Sequence, residues 1–417
     1  MPPTLRQLIV EASKALERLH SNGKPVNASR ILRLDDVIQL REPMEDKGSI
    51  IAEIYGYQSK PLSPRLAVPP RLKARVTHIG VDSSSRKLET PLVTVLVGSV
   101  SASSSSQVEL LDIPPLYSYN SINIDEYWIT DHPFIITIPS IPGVLEYRNP
   151  AGHLYDEGYS EAQAMDELRV SLENTMLNVL AGTNLEDTVV MIDGPLYLVP
   201  GALIDVQSPR KYRDAWEKLL NDRVNAIRKL EERGVPVIGV VKRIEGSRIL
   251  LKTVGLEDRI RECLGEIGGI GDKMILYMLQ GSCSRIIPGR ILATPRIKVR
   301  FPVTGLEKIV EYLVVPPGKW QYAPELSRVY RIEYSQLTLG LLEDVGLQPH
   351  HVFSLDSIYR GSLAPVTIQL SDRRARSITL ALKRLIASEA MHRSIPLSYD
   401  TLAEVEAEWR SRLRAAG

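Results

Sequence analysis

The sequence predicts an α/β protein, a mixed β-sheet with helices packed on it. Three observations carry that prediction. In the middle of the chain, three β-branched runs separated by short turn signals are followed by helix, strand, helix and strand patterns. Strands in direct succession pair antiparallel and strands joined through a helix pair parallel, so such a sheet is mixed. The composition suits a buried core: 44% of the 417 residues are hydrophobic, and 51 basic residues face 50 acidic ones. That balance excludes a disordered chain and a uniformly basic nucleic-acid coat. Finally, with only Cys263 and Cys283 there is no disulfide scaffold. No apolar run approaches the roughly 18 residues that span a bilayer, so no membrane partner is expected.

The first element is a charged amphipathic helix, with Leu5, Ile9, Ala12, Leu16 and Leu19 on one face. It lacks the layout of a secretory leader, which predicts a cytoplasmic protein. Residues 42–72 are rich in Pro, Gly and charge and suggest a connecting arm. Lys60, Arg65, Arg71, Lys73 and Arg75 follow one another with no acidic residue between them. That basic stretch suits a solvated linker or a phosphate-facing edge.

ARVTHIGVDSSS, PLVTVLVGSVSA and SSSSQVELLDI then predict an antiparallel meander, with serines 103–106 as a hairpin tip. Residues 113–158 suggest an irregular Tyr- and Pro-rich insertion. The next helix carries Ser160 as N-cap and Met165, Leu168, Leu172, Met176 and Leu180 as its apolar stripe. The strand TVVMIDGPLYL, a helix over 212–233 that stops at Gly234, and the buried strand VPVIGVVKRI complete the central unit. Helices and turns are predicted over 255–300, strands near 309–315 and 328–335, a long helix over 371–391, and a short polar helix over 400–414. No internal repeat is present.

Chemistry concentrates at strand ends. Asp82 follows Ile79, Gly80 and Val81 and precedes small serines; it suits a metal ligand at the mouth of a sheet or an Asx-turn. Asp193 follows three apolar residues in MIDG and has the same two readings. Adjacent strands would bring the two carboxylates together, and such a pair repels unless a cation joins it. Hard divalent cations accept ligands of this kind. Glu173 lies at the edge of a buried helix face, either reaching over the sheet or pairing with Arg169 four residues earlier. Lys242 ends an apolar strand, where it can snorkel into solvent or neutralise a phosphate. His350 and His351 have no partner pattern for zinc. GEIGGIGDK is not a phosphate-binding loop, because Asp272 separates the last glycine from Lys273 and no Ser or Thr follows. Asp272 is expected to cap the helix KMILYMLQ.

The ordered set IGVDSSS, LRVSLEN, MIDGPL and VIGVVKR resembles the core of the NurA nuclease family. The Pro365 segment running through QLSDRRARSI is similar to that family's approach to its last helix. The resemblance spans about residues 75–385. Two positions depart from the pattern: Ser83 stands where glycine is common, and Asp372 where a histidine is expected.

The resemblance implies an RNase H-like fold, with an N-terminal helical arm and C-terminal helical and strand additions. The implied division is an arm over 1–70, a nuclease domain over 71–395 with the 113–158 insertion, and a final helix over 396–417. It implies Asp82, Glu173 and Asp193 as ligands of Mn²⁺ or Mg²⁺, with Lys242 and Asp372 completing the catalytic set. The implied activity is 5′ to 3′ exonuclease and single-strand endonuclease action on DNA. The implied setting is DNA end resection by a homodimer docked on a hexameric HerA-type ATPase. Lys73, Arg75, Arg243, Arg373 and Arg374 are the basic residues expected to face DNA. A catalytically weakened scaffold that binds DNA or a translocase is the alternative, motivated by Ser83, Asp372 and the insertion.

Overall fold

The computed structural model describes residues 50–403, apart from 57–59, 68, 70–75, 91–92, 106–109, 115–133, 140–146, 201–202, 204, 206, 268–269, 285–286, 288–289, 316–326 and 400. The helix expected near residues 5–20, Arg71, Lys73 and Arg75, most of the 113–158 insertion, and nearly all of the final helix lie outside the described residues.

The central unit begins with β3 (Thr77–Glu89) and β4 (Val93–Ser104), which pair antiparallel, and β5 (Leu110–Ile113) pairs antiparallel with β4. Helix α1 (Glu161–Gly182) leads to β7 (Thr188–Asp193), which lies parallel to β3. Helix α2 (Arg210–Glu232) leads to β8 (Val237–Val241), parallel to β7. The order β5-β4-β3-β7-β8 is the mixed sheet expected of an RNase H-like fold.

The sheet continues past β8. Among the described residues it has thirteen strands, adding β13 (Arg328–Tyr334), β12 (Glu307–Val315), β11 (Ile297–Arg300), β1 (Ile51–Ile54) and β9 (Thr253–Val254) in that order. Strand β10 (Arg290–Ala293) pairs with β12 and with β2 (Ser63–Leu66), and β6 (Ile135–Pro139) pairs with β4. Several of these strands correct the sequence expectations. β1 and β2 come from the presumed arm, β6 from the presumed irregular insertion, and β10 and β11 from a stretch read as helix and turn. Each is only four or five residues long, too short for a two-residue period to stand out.

The serine tract is also reassigned. Ser103 and Ser104 are not a hairpin tip but the end of β4, paired with Gly80 and Ile79. Among the buried serines of β4, Ser103 Oγ has no hydrogen-bond partner in the described residues, whereas Ser99 is partnered by a helix. That helix is α8 (Val366–His392), which starts earlier than the predicted 371, directly after Pro365. Ser99 Oγ donates to the Ala375 carbonyl at 2.7 Å, and Ser371 Oγ to the Gly80 carbonyl at 2.7 Å. A Cβ on Gly80 would overlap the α8 backbone at Thr367 and Ile368. Small residues on β3 and β4 therefore let the helix lie almost on the sheet.

The remaining helices are α3 (Ile249–Lys252), α4 (Glu257–Leu264), α5 (Asp272–Ser282), α6 (Gln336–Asp344) and α7 (Pro349–Asp356). Asp272 is the first residue of α5, yet its carboxylate accepts from the Ile249 and Leu250 nitrogens of α3. The expected cap thus serves a different helix, brought close because Gly271 packs against the Glu245 carbonyl. Cys263 of α4 and Cys283 after α5 form a disulfide. Among the described residues, no helix is long and apolar enough to cross a membrane.

Candidate active site

Strand parity sets the centre. Ile79 and Val81 point into the core with Leu168, Leu172 and Met176 of α1. Gly80 faces α8 instead, and Asp82 shares its parity. On β7, Val190 and Ile192 join the α1 core, whereas Met191 packs with Ile368 on the other face, so Asp193 lies on the Asp82 side. Val81 pairs with Ile192, which sets Asp82 beside Asp193 at the end of the parallel pair. Asp193 pairs with Val240, and Lys242 follows two residues later on the same side.

The contacts agree with that register. Lys242 Nζ is 2.7 Å from Asp193 Oδ2. Asp82 is 3% exposed, and its Oδ1 accepts from the Ser83 nitrogen at 2.7 Å. Its Oδ2 is buried without a hydrogen bond. Burial, then the charge of Asp193 and close side-chain contact with it, and then the charge of Glu173, hold the Asp82 carboxyl well above the usual carboxylate range, against the opposing pull of Lys242.

The turn after Asp193 is built for close approach. Gly194 has φ +132° and donates to the Val240 carbonyl, and a Cβ on Gly239 would collide with the backbone of Gly194 to Leu196. The Leu196 nitrogen donates to Glu333 of β13 at 2.9 Å. Glu333 is fully buried between Lys308, at 2.7 Å, and Arg331, at 2.8 Å. These cations keep it ionised below its ordinary range despite the burial that opposes them. An ion network thus anchors the turn that carries Asp193.

Glu173 is in the neighbourhood but otherwise engaged. Its Oε1 accepts from Ser83 Oγ at 2.5 Å and its Oε2 from Arg223 Nη2 at 2.5 Å. The expected Arg169 partner instead approaches Asp166 at 3.7 Å. Among the described residues, no group of three or more His, Cys, Asp or Glu side chains is spaced to hold a metal ion. Asp82 and Asp193 stand side by side, and Glu173 adjoins them through Ser83 while its other oxygen pairs with Arg223. The orphaned, buried Asp82 oxygen beside a second carboxylate is what a hard divalent cation fits.

The other expected residues divide. Asp372 lies on α8 and accepts from Arg376 at 2.7 Å; no contact joins it to the carboxylate pair. Arg374 pairs with Asp112 of β5 at 2.8 Å and so ties α8 to the sheet. Arg243 and Arg373 are exposed. Sequence reasoning missed Arg223 and the Glu333 network. Arg223 stands in the apolar stripe of α2 with Leu219, Ala226, Ile227 and Leu230, an oddity visible in the spacing. Lys308, Arg331 and Glu333 likewise sit inside apolar strand patterns.

The NurA domain model matches residues 76–377, well over half of the chain. The chain belongs to the NurA family. No curated protein matches its sequence. Among solved structures, the NurA nuclease from Sulfolobus solfataricus is 13% identical, with 79% of this chain and 88% of that chain covered and a TM-score of 0.41. A second NurA structure is 10% identical, covering 77% of this chain and 90% of its own, with a TM-score of 0.41. A NurA bound to dAMP and manganese is 10% identical, covering 68% and 84%, with a TM-score of 0.35. All four strand and helix landmarks around Asp82, Glu173, Asp193 and Lys242 fall inside the matched NurA region.

Proposed function

We propose that this NurA-family chain is a DNA nuclease dependent on Mn²⁺ or Mg²⁺, with Asp82 and Asp193 as metal ligands and Lys242 as the basic catalytic residue. The observation that carries the reading is the buried Asp82 beside the half-buried Asp193, with one Asp82 oxygen given no donor and Lys242 at the rim. Two adjacent carboxylates out of water are costly unless a cation or proton is shared between them.

Bound there, a divalent cation would supply charge relief for a phosphodiester and a more acidic water. The chain's own residues do the rest. The Ser83 nitrogen fixes Asp82, and the Glu333 network fixes the turn behind Asp193. Lys242 is partly exposed, so it orients Asp193 and meets an approaching phosphate oxygen. Arg243 and Arg373 are exposed cations suited to the DNA backbone. The finer reading is 5′ to 3′ exonuclease and single-strand endonuclease action in DNA end resection, by a homodimer working with a hexameric HerA-type ATPase. Family membership supports it.

A second reading, a catalytically weakened scaffold, draws on the engagement of Glu173 by Arg223. Digestion of labelled single- and double-stranded DNA with Mn²⁺ separates the two. Wild type is expected to cut, and Asp82→Ala and Asp193→Ala to lose activity by at least about a hundredfold. Cutting by both variants at the wild-type rate would remove these residues as the site. An inert wild type, with and without the ATPase, would favour the scaffold.

A further inference from the structure

We propose that Ser83 is a positioning residue of the metal centre: its hydroxyl holds Glu173 in place beside Asp82, whose carboxylate the same residue's backbone nitrogen fixes. The inference rests on the metal-nuclease reading above and deepens it.

The two carboxylates approach from opposite faces of the sheet. Asp82 shares the face of Gly80, under α8, whereas Ser83 shares the face of Ile79 and Val81, under α1. Glu173 belongs to α1, so it comes from the Ser83 side. Ser83 is where the two sides meet. Its nitrogen donates to Asp82 Oδ1 at 2.7 Å, and its Oγ donates to Glu173 Oε1 at 2.5 Å. Ser83 and Glu173 are each 5% exposed, so water competes little for the bond between them.

That bond does what Arg223 by itself does not. Arg223 Nη2 donates to the other oxygen, Oε2, at 2.5 Å. The ion pair neutralises Glu173, but a contact at one oxygen leaves the terminal torsion of a glutamate soft. A donor on each oxygen fixes the carboxylate plane. A carboxylate has about four lone-pair sites, so these bonds leave ligating pairs open. Donors of this kind orient metal-binding carboxylates and tune their affinity. The serines that meet α8 spend their protons differently: Ser99 and Ser371 donate to backbone carbonyls. Ser83 gives its proton to the carboxylate that the NurA resemblance places on the metal. Glycine, the common residue at this position, would keep the bond to Asp82 and lose the bond to Glu173. The departure from the family pattern therefore adds a donor to the centre.

Mn²⁺ binding to the full chain, measured by calorimetry and by the loss of the free-ion electron paramagnetic resonance signal, tests this without relying on cleavage. Circular dichroism and melting accompany each variant. Ser83→Ala and Ser83→Gly remove the hydroxyl and keep the nitrogen, and each is expected to weaken Mn²⁺ binding roughly tenfold. Ser83→Thr retains the hydroxyl and should stay within about threefold of wild type. Ser99→Ala removes a buried hydroxyl bonded to a carbonyl, and should lose stability while moving the affinity by less than about twofold. In the Glu173→Gln background, where Asp82 and Asp193 remain, adding Ser83→Ala should change the affinity by less than about twofold, because the partner of the hydroxyl is already altered.

A folded Ser83→Ala protein that binds Mn²⁺ as tightly as wild type would overturn the proposal; Ser83→Gly decides if Ser83→Ala does not fold. So would an undiminished loss on adding Ser83→Ala to Glu173→Gln, which would make the effect a general loosening of β3. Asp82→Asn losing binding while the Ser83 variants keep it defeats the positioning role alone. A wild type that binds no Mn²⁺, or an Asp82→Asn protein that binds it as tightly as wild type, defeats the metal-centre reading itself.

Discussion

Gly80→Ala tests how closely α8 must lie on the sheet that carries the carboxylates. An added Cβ would stand 2.7 Å from the Thr367 carbonyl oxygen, and closer still to that residue's carbonyl carbon and the Ile368 nitrogen. All three are backbone atoms, so no rotamer change relieves the overlap. The helix must retreat, or β3 must bend. Overpacking of a tight core costs about 1–3 kcal/mol. The retreat also loosens the 2.7 Å bond from Ser371 Oγ to the Gly80 carbonyl, a net loss of about 0.5–1.5 kcal/mol. Together they give a destabilisation of about 1.5–4.5 kcal/mol.

Gly340→Ala is the matched control. Gly340 is exposed on α6, and nothing stands within 4 Å of its added Cβ. The same methyl should there stabilise by about 0.4–1 kcal/mol through helix propensity. Urea unfolding followed by circular dichroism should therefore shift in opposite directions for the two variants. A Gly80→Ala midpoint equal to wild type would refute the claim that this contact is tight. Asp82 lies two residues away, so metal affinity should fall together with stability.

Three further outcomes are expected. Glu167 is buried beneath the Tyr155 and Tyr159 hydroxyls, and burial raises its carboxyl to about 8. Because the folded state holds this proton more tightly than the unfolded state, stability should fall as pH rises from about 4.5 through about 8. Urea midpoints of Glu167→Gln should lack that slope. Reduction of the Cys263–Cys283 bond, which closes a 20-residue separation, should cost about 3 kcal/mol, read as a drop in thermal midpoint under reducing conditions. Asp82→Asn should stabilise the metal-free protein by about 1–2 kcal/mol, because it removes a buried repelling charge, and chemical denaturation without metal measures it.

Much of the centre was legible because strand ends announce themselves. Ile-Gly-Val-Asp and Met-Ile-Asp-Gly each mark a buried run stopping at a carboxylate, and the β-β-β-α-β-α-β order makes their strands neighbours. Short strands were not legible. β1, β2, β6, β10 and β11 each have four or five residues: β6, β10 and β11 pair with the long β4 or β12, and β1 and β2 pair in turn with β11 and β10. Asp272 shows the same limit at one side chain: its position at a helix start is local, but the helix it caps is chosen by packing.

The sequence by itself determined the composition of the core, the helix stripes and the acidic residues that end β3 and β7, because these follow from periodicity and local chemistry. Only the tertiary structure decided which charges meet. It set Lys242 against Asp193, gave Glu173 to Arg223 and Ser83 rather than Arg169, and placed Glu333 behind the turn that holds Asp193. The physical reason is that a buried charge takes whichever partner the packing leaves within reach, and for Glu173 that partner lies 50 residues along the chain.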